Sequence, residues 1–311
     1  MLLHMVLLVM AFMMILRRIL SLGLFLSLTR AFRKAWKVAC SSSQRSTVII
    51  PEGFTYLVQP INFAGCRAEV TLRILGAIIA PKDPAVWLGL NPRKWLYFHG
   101  VKKLTLEGGG TINGMGEIWW ARSCDDCISF VSNSSRVVIT GLFCGPGYGI
   151  KHEWAEVDDV LVDGAYLSNT QNGVRIKTWQ GGAGYVTRIT FRNVWMENVS
   201  NPIIIDQYYC DSPKPCKKQT SAVHIGKISF VGIKGTSRSE EAIRFACSDS
   251  SPCQGLYLKD IQLISYTGIT TAFCWQAQGL SSGFVYPSPC FPTSRSMIKQ
   301  KPTVNALQYS S

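Results

Sequence analysis

Short apolar runs, separated by Gly, Asn, Ser and Thr, make up most of the chain after residue 45. One pattern recurs in these runs, apolar-x-apolar-x-x-apolar. Its copies are Leu104-Leu106-Gly109, Val137-Ile139-Leu142, Val160-Val162-Ala165, Ile189-Phe191-Val194, Ile228-Phe230-Ile233 and Leu256-Leu258-Ile261. Their first residues are 33, 23, 29, 39 and 28 positions apart. Most copies are followed by a second alternating run, at Ile150, Val174/Ile176, Ile203/Ile205 and Ile243/Phe245.

This spacing predicts stacked supersecondary units. Helical stretches of about 10–15 residues are missing between the copies, which argues against a βαβ fold. Alternation directs one side of each strand inward, where equivalent positions of successive coils stack into a continuous core. We therefore predict an all-β chain with a single right-handed parallel β-helix over about residues 45–292. A propeller or a sandwich is the alternative, although propeller blades have a period of about 40 residues or more.

The two ends of the chain differ from this central part. Residues 29–40 place apolar side chains at helical spacing, which predicts a short N-terminal helical cap. Residues 1–28 are an apolar leader in which Arg17 and Arg18 follow the first apolar run, unlike a standard secretory signal. We interpret it as an atypical signal or signal-anchor, or as a misassigned first exon. Residues 29–292 then form the β-helix domain and residues 293–311 a polar tail.

The charge balance favours an acidic partner. Lys and Arg number 32 against 19 Asp and Glu, a formal net charge of +13. Such an excess is typical of proteins that bind nucleic acid, anionic lipid or a polyuronate. Nucleic acid is disfavoured, because no basic run is interleaved with aromatic residues as a stacking platform.

The 11 cysteines indicate disulfides rather than a metal site. No His accompanies them at metal-ligand spacing, so we expect no metal and no other cofactor. Disulfides indicate an oxidising compartment, and the glycosylation sequons at Asn133 and Asn198 agree with secretion. Because 11 is odd, at least one thiol lacks a partner within the chain.

Two charged pairs could carry chemistry. Asp125 and Asp126 precede the run that begins at Ile128, and Arg175 and Lys177 flank Ile176. Strand alternation puts both cations on one face, about one coil from the carboxylates. Together the pairs suit a uronic-acid sugar, with the cations on its carboxylate and the aspartates transferring protons. Each pair alone is more typical of ordinary surface charge.

Longer motifs then decide between these interpretations. The chain resembles the plant-type polygalacturonases of glycoside hydrolase family 28, a resemblance that covers most of residues 29–292. The stretches that carry it are AFRKAWKVAC (31–40), APKDPAVW (80–87), GGGTINGMGEIWW (108–120), Asp125-Asp126-Cys127, CGPGYGI (144–150), NGVRIK (172–177) and NPIIIDQYY (201–209). The family's fold is the pectin-lyase-like parallel β-helix already predicted from the spacing.

The resemblance implies inverting hydrolysis of α-1,4-linked galacturonan in pectin. In such a reaction one carboxyl protonates the leaving oxygen and another activates water about 6.5–9.5 Å away. Asp125 corresponds to the general acid, and Asp126 to one of the two carboxylates that activate water.

The same resemblance implies the binding residues and the setting. Arg175 and Lys177 correspond to the clamp on the substrate carboxylate, Tyr209 to a substrate-binding tyrosine, and Asn172 lies in the same matched stretch. We expect a secreted, monomeric cell-wall protein whose partner is acidic pectin or homogalacturonan, with membrane anchoring through the leader as an option. The expected disulfides are Cys127–Cys144, Cys210–Cys216, Cys247–Cys253, Cys40–Cys66 and Cys274–Cys290.

The chain departs from the family at three places. The Asn-Thr-Asp-Gly segment that supplies the third catalytic carboxylate is missing between Trp120 and Asp125, which leaves Cys124 as the candidate unpaired thiol. Tyr148 replaces a His thought to hold the general acid in its working state. The Phe-Gly-Ala-x-Gly-Asp-Gly stretch of the first coil is also absent. The alternative function is therefore a catalytically impaired relative that binds pectin without efficient cleavage.

Overall fold

The computed structural model describes residues 23–90, 95–115, 128–131, 134–144, 150–153, 155–210 and 216–291. The described part of the chain starts in helix α1 (Gly23–Cys40) and continues as short strands, with a 3-10 turn at Pro84–Trp87. The strands are β1 (Ser46–Ile50), β2 (Thr55–Leu57), β3 (Ile61–Ala64), β4 (Val70–Ile74), β5 (Ala77–Ile79), β6 (Leu96–His99), β7 (Lys102–Glu107), β8 (Thr111–Asn113), β9 (Ile128–Val131), β10 (Ser134–Cys144), β11 (Ile150–Glu153), β12 (Ala155–Ser168), β13 (Asn172–Lys177), β14 (Gly184–Val199), β15 (Asn201–Asp206), β16 (His224–Val231), β17 (Lys234–Ser237), β18 (Glu241–Ala246), β19 (Cys253–Ser265), β20 (Thr271–Trp275) and β21 (Ala277–Tyr286).

The strands form two parallel sheets that face each other across the core. A 13-stranded sheet runs β1-β4-β7-β10-β12-β14-β16-β19-β17, with β2, β5, β8 and β21 joined to it. An 8-stranded sheet runs β20-β18-β15-β13-β11-β9-β6-β3. The chain alternates between the sheets and adds one coil at a time. The prediction of a single right-handed parallel β-helix is confirmed.

The strand register places the repeated apolar positions on top of one another. Val137 pairs with Leu104 on one side and with Val160 on the other. The second alternating run stacks in the same way, since Val174 pairs with Ile203 and Ile203 with Ile243. All six side chains are buried. The spacing of the apolar repeat in the sequence is therefore the spacing of the coils.

Stacked phenylalanine rings continue through the core to its C-terminal end. Phe191 and Phe230 have ring centroids 5.5 Å apart, and Phe230 lies 5.7 Å from Phe245 of the opposite sheet. Phe245 in turn stacks at 5.9 Å on Phe291, after the last strand. Aromatic pairs at such distances stabilise the fold beyond the area they bury.

The long strands of the 13-stranded sheet bend at two levels. At the first level, the residue before the first apolar position of a repeat copy has a left-handed backbone. Its φ lies between 53° and 56° at Arg136, Asp159, Arg188 and Lys227. At the second level, φ lies between 53° and 71° at Gly141, Gly164, Asn193 and Gly232. A left-handed residue turns the chain, and Gly and Asn adopt this conformation most readily. Because every coil bends at the same level, the strands remain in register.

Helix α1 closes the N-terminal end of the stack, as predicted. It begins at Gly23, within the segment interpreted as the leader. Trp36 is buried and contacts Phe63 at 5.0 Å and Phe98 at 5.8 Å between ring centroids. The Cys40–Cys66 disulfide ties the helix to the first coils. No helix within the described residues is long and apolar enough to cross a membrane.

Four of the five expected disulfides are present. They are Cys40–Cys66, Cys210–Cys216, Cys247–Cys253 and Cys274–Cys290. The fifth, Cys127–Cys144, and the candidate free thiol of Cys124 depend on side chains that lie outside the described part of the chain.

Candidate active site

The outer face of the 8-stranded sheet carries the predicted cations. On β13, Val174 and Ile176 point into the core and are fully buried. Strand alternation therefore directs Arg175 and Lys177 outward on the same face. Arg175 is in register with Lys151 of β11 and Ile204 of β15, and Lys177 is in register with Glu153 and Asp206 of the same strands.

Tyr209 lies against both cations. The Lys177 Nζ is 3.7 Å from the centre of the Tyr209 ring, and the Arg175 Cζ is 5.2 Å from it. Both distances are within the range of cation–π attraction. The Arg175 side chain is only 12% exposed, and its Nε has no hydrogen-bond partner among the described residues. The structure thus brings together three of the predicted binding residues and leaves a guanidinium donor unused.

Asp206 joins this cluster, although the sequence analysis did not single it out. Its Oδ2 lies 3.9 Å from the Arg175 Nη2, and its Oδ1 accepts a hydrogen bond of 3.0 Å from the Tyr208 N–H. Burial raises the pKa of the Asp206 carboxyl, and the nearby Arg175 opposes that rise. The sequence does contain a signal for Asp206. It follows the buried Ile205 on β15, so alternation directs its carboxylate outward, to the same face as the cations of β13.

Asn172 does not join the cluster. It lies two residues before Val174, so alternation puts its side chain on the opposite side of β13 from Arg175. The side chain is 2% exposed, and its Oδ1 accepts a 3.1 Å hydrogen bond from the Asn201 side chain. These contacts tie β13 to β15. Substrate binding by Asn172 stays a prediction.

The predicted catalytic residues Asp125 and Asp126, and the altered position Tyr148, lie outside the described residues. The strands that follow them are described, however. Strand β9 begins two residues after Asp126, and β11 two residues after Tyr148. The order β9-β11-β13 puts β9, the strand that follows the aspartates in the sequence, two steps along the sheet from β13. At about 4.8 Å between strands, the separation across the sheet is roughly 9.6 Å.

Further along the same face, aromatic and charged side chains alternate. The rings of Tyr97 and His99 on β6 stack at 6.3 Å, on the N-terminal side of the cations. On the C-terminal side, the Arg244 Cζ lies 4.7 Å above the Phe273 ring. The Trp275 Nε1 donates a 3.1 Å hydrogen bond to Asp249. Sequence reasoning missed these residues, because only the register shows that they share a face with Arg175.

Comparison with known proteins adds independent findings. The chain matches the family model of the glycosyl hydrolases family 28 over residues 40–125 and 122–283. A probable polygalacturonase of Arabidopsis thaliana is 44% identical over 365 aligned residues, covering 88% of this chain and 82% of the relative. Polygalacturonases of Persea americana and Malus domestica are 38% and 37% identical, covering 78% and 76% of this chain and 72% and 71% of those proteins. Among solved structures, the polygalacturonase of Erwinia carotovora ssp. carotovora aligns with a TM-score of 0.39 and 15% identity, over 81% of this chain and 93% of that one.

The family match is divided at one place. Its two pieces meet at residues 122–125, where the sequence predicts a missing segment before Asp125. The alignment with the Arabidopsis relative is 365 residues long, whereas this chain has 311. That alignment therefore contains positions of the relative that this chain lacks. Both findings agree with a missing segment next to Cys124.

Proposed function

Because this chain belongs to family 28 of the glycosyl hydrolases, we propose that it hydrolyses the α-1,4 linkages of polygalacturonate in cell-wall pectin. The observation that carries the proposal is the cluster of Arg175, Lys177 and Tyr209 on the outer face of the 8-stranded sheet. Two nearly buried cations under one aromatic ring match a sugar that carries a carboxylate. Polygalacturonate has one such carboxylate on every unit.

Each residue of the cluster has a chemical task. The Arg175 guanidinium grips the sugar carboxylate through two parallel hydrogen bonds, and its free Nε contributes a donor. Lys177 adds a second positive charge, and the Tyr209 ring orients both cations.

In the proposed mechanism, the aspartates carry out the proton transfers. Asp125 protonates the leaving glycosidic oxygen, and Asp126 helps to activate the water that attacks from the opposite side with inversion. One strand, β11, lies between β13 and β9, the strand that follows Asp126 in the sequence. In the proposal, a sugar unit lies between the acid and the clamp. No metal or other cofactor enters this scheme.

The proposed setting is extracellular. Four disulfides suit an oxidising compartment, and the net charge of +13 suits an acidic polysaccharide. We propose a secreted monomer that acts in the cell wall, with residues 1–28 as a leader or membrane anchor. Nucleic acid is not part of the proposal.

A second candidate function is supported by the divided family match. A chain that lacks the third catalytic carboxylate and carries Tyr148 in place of His would bind pectin but cleave it slowly. A phenol with a pKa near 10 cannot take up a proton near neutrality as an imidazole does. Loss of a general base costs about 10²–10⁴-fold in rate. The rate losses of groups that act as one unit do not add up, so we expect one reduction in rate of about this size rather than the sum of two.

Release of reducing sugar from de-esterified pectin tests these functions. The variants are Asp125→Asn, Arg175→Ala and Tyr148→His, with Asp163→Asn as a matched control on the other sheet. Asp125→Asn should abolish release, Tyr148→His should increase it, and Asp163→Asn should leave it unchanged. Pectin binding without release in the parent chain would favour the impaired relative. Absence of both release and salt-sensitive binding would refute the pectin assignment.

A further inference from the structure

Asp206 places a carboxylate beside the Arg175 guanidinium of the clamp. It is in direct register with Lys177 on the neighbouring strand. Its Oδ2 is 3.9 Å from the Arg175 Nη2, and the side chain is 22% exposed. The Tyr208 N–H donates to its Oδ1 at 3.0 Å, in the turn that leads to Tyr209. The carboxylate is therefore fixed by the backbone rather than by the cations.

The ion pair between Asp206 and Arg175 is a loose one. A charge-assisted hydrogen bond between a guanidinium and a carboxylate spans about 2.7–2.9 Å, well short of the 3.9 Å found here. The Arg175 Nε is buried without a hydrogen-bond partner among the described residues. Buried charge without compensation is strongly destabilising. Asp206 thus supplies negative charge while leaving the donors of Arg175 open for a ligand.

We propose that Asp206 is an internal counter-ion that competes through its charge with the substrate carboxylate for Arg175 and Lys177. The empty clamp is then stable, and single small anions bind it weakly. A polymer overcomes the competition, because its other sugar units add contacts along the same face. Asp206 in this way selects polyuronates over small anions. The inference relies on the proposed function for the identity of the ligand.

The charges around Asp206 give the pH dependence of this competition. Arg175 and Lys177 face it from β13, Arg244 faces it from β18, and the Tyr208 N–H comes from its own segment. Burial raises the pKa of Asp206 above the ordinary value of an aspartate. Protonation removes the competing charge. Affinity for an ionised uronate should therefore increase as the pH falls toward the pKa of Asp206.

Calorimetric titration of the full chain with trigalacturonate tests the competition. Asp206→Asn is the main variant, because the Asn amide oxygen can still accept from the Tyr208 N–H and keep the turn. We expect it to bind trigalacturonate about tenfold more tightly at pH 7, since one nearby like charge is removed. Its affinity should no longer increase as the pH falls from 7 to 5. Asp163→Asn, which removes a partly buried carboxylate paired with Arg192 on the other sheet, should bind as the parent does.

The outcomes separate this inference from the proposed function. Unchanged or weaker binding by Asp206→Asn, with Arg175→Ala still losing affinity, would overturn the competition and leave the clamp in place. Undiminished binding by Arg175→Ala would instead refute the clamp itself. The parent chain gives a measurement that does not depend on folding of a variant. An affinity of the parent that stays flat while the Asp206 carboxyl takes up its proton would also overturn the inference.

Discussion

At the scale of single residues, buried polar side chains hold together the loops that surround the clamp. Gln207 follows Asp206 and is fully buried. Its Nε2 donates a 2.8 Å hydrogen bond to the Val223 carbonyl, and its Oε1 accepts a 3.0 Å bond from the Ser248 N–H. One side chain therefore joins the segment of Tyr209 to two other segments.

Replacement of Gln207 should show the cost of losing these bonds. Gln207→Leu leaves the buried Ser248 N–H and the Val223 carbonyl without their partner. Each orphaned group costs about 1–3 kcal/mol, so we expect a loss of about 2–6 kcal/mol in the free energy of unfolding. Urea denaturation measures the change. Gln254→Leu on an exposed site is the control and should stay within about 0.5 kcal/mol. Equal effects of the two variants would contradict this account of Gln207.

At the scale of elements, the repeat stabilises the fold through stacking between coils. Each strand buries its apolar side chains against the same positions of the coils before and after it. Stability in such solenoids is approximately a sum over neighbouring units. The phenylalanine stack differs from the aliphatic ladders, because it crosses from one sheet to the other and ends at Phe291.

The centre of that stack is the most sensitive point of the core. Phe230 is fully buried between Phe191 and Phe245. Truncation to Ala removes both ring contacts and leaves a cavity, so Phe230→Ala should reduce the free energy of unfolding by about 3–5 kcal/mol. Phe284→Ala, at a site that is 64% exposed, is the control for loss of a phenyl ring and should have little effect. A small effect at Phe230 would mean that the ring stack contributes little beyond filling space.

At the scale of the whole molecule, a solenoid can lose or gain complete coils. Each coil contacts only its neighbours, so a missing segment removes local contacts without dissolving the stack. The two pieces of the family match meet at residues 122–125, where the sequence predicts such a loss. The described part of the chain keeps the parallel β-helix on both sides of this point.

Restoring the missing segment should therefore restore activity. A chimera that carries the corresponding coils of the Persea americana polygalacturonase between Cys124 and Asp125 should release reducing sugar at least 10²-fold faster than this chain. The gain reflects the return of a carboxylate that positions water. The same insertion with its Asp changed to Asn is the matched control and should remain slow. A parent chain as fast as the chimera would show that the missing segment does not limit catalysis.

The sequence by itself determined the coil architecture of this protein, because an apolar side chain at a fixed place in each coil must meet its counterpart in the next. It also determined the outward direction of Arg175 and Lys177, since alternation on a strand leaves no other choice beside a buried Ile176. Four disulfides followed from the family resemblance. The tertiary structure alone decided which outward residues become neighbours across strands, because register and loop path are not local properties. It brought Asp206 and Tyr209 to the cations, and it brought Asn201 of the next coil to Asn172.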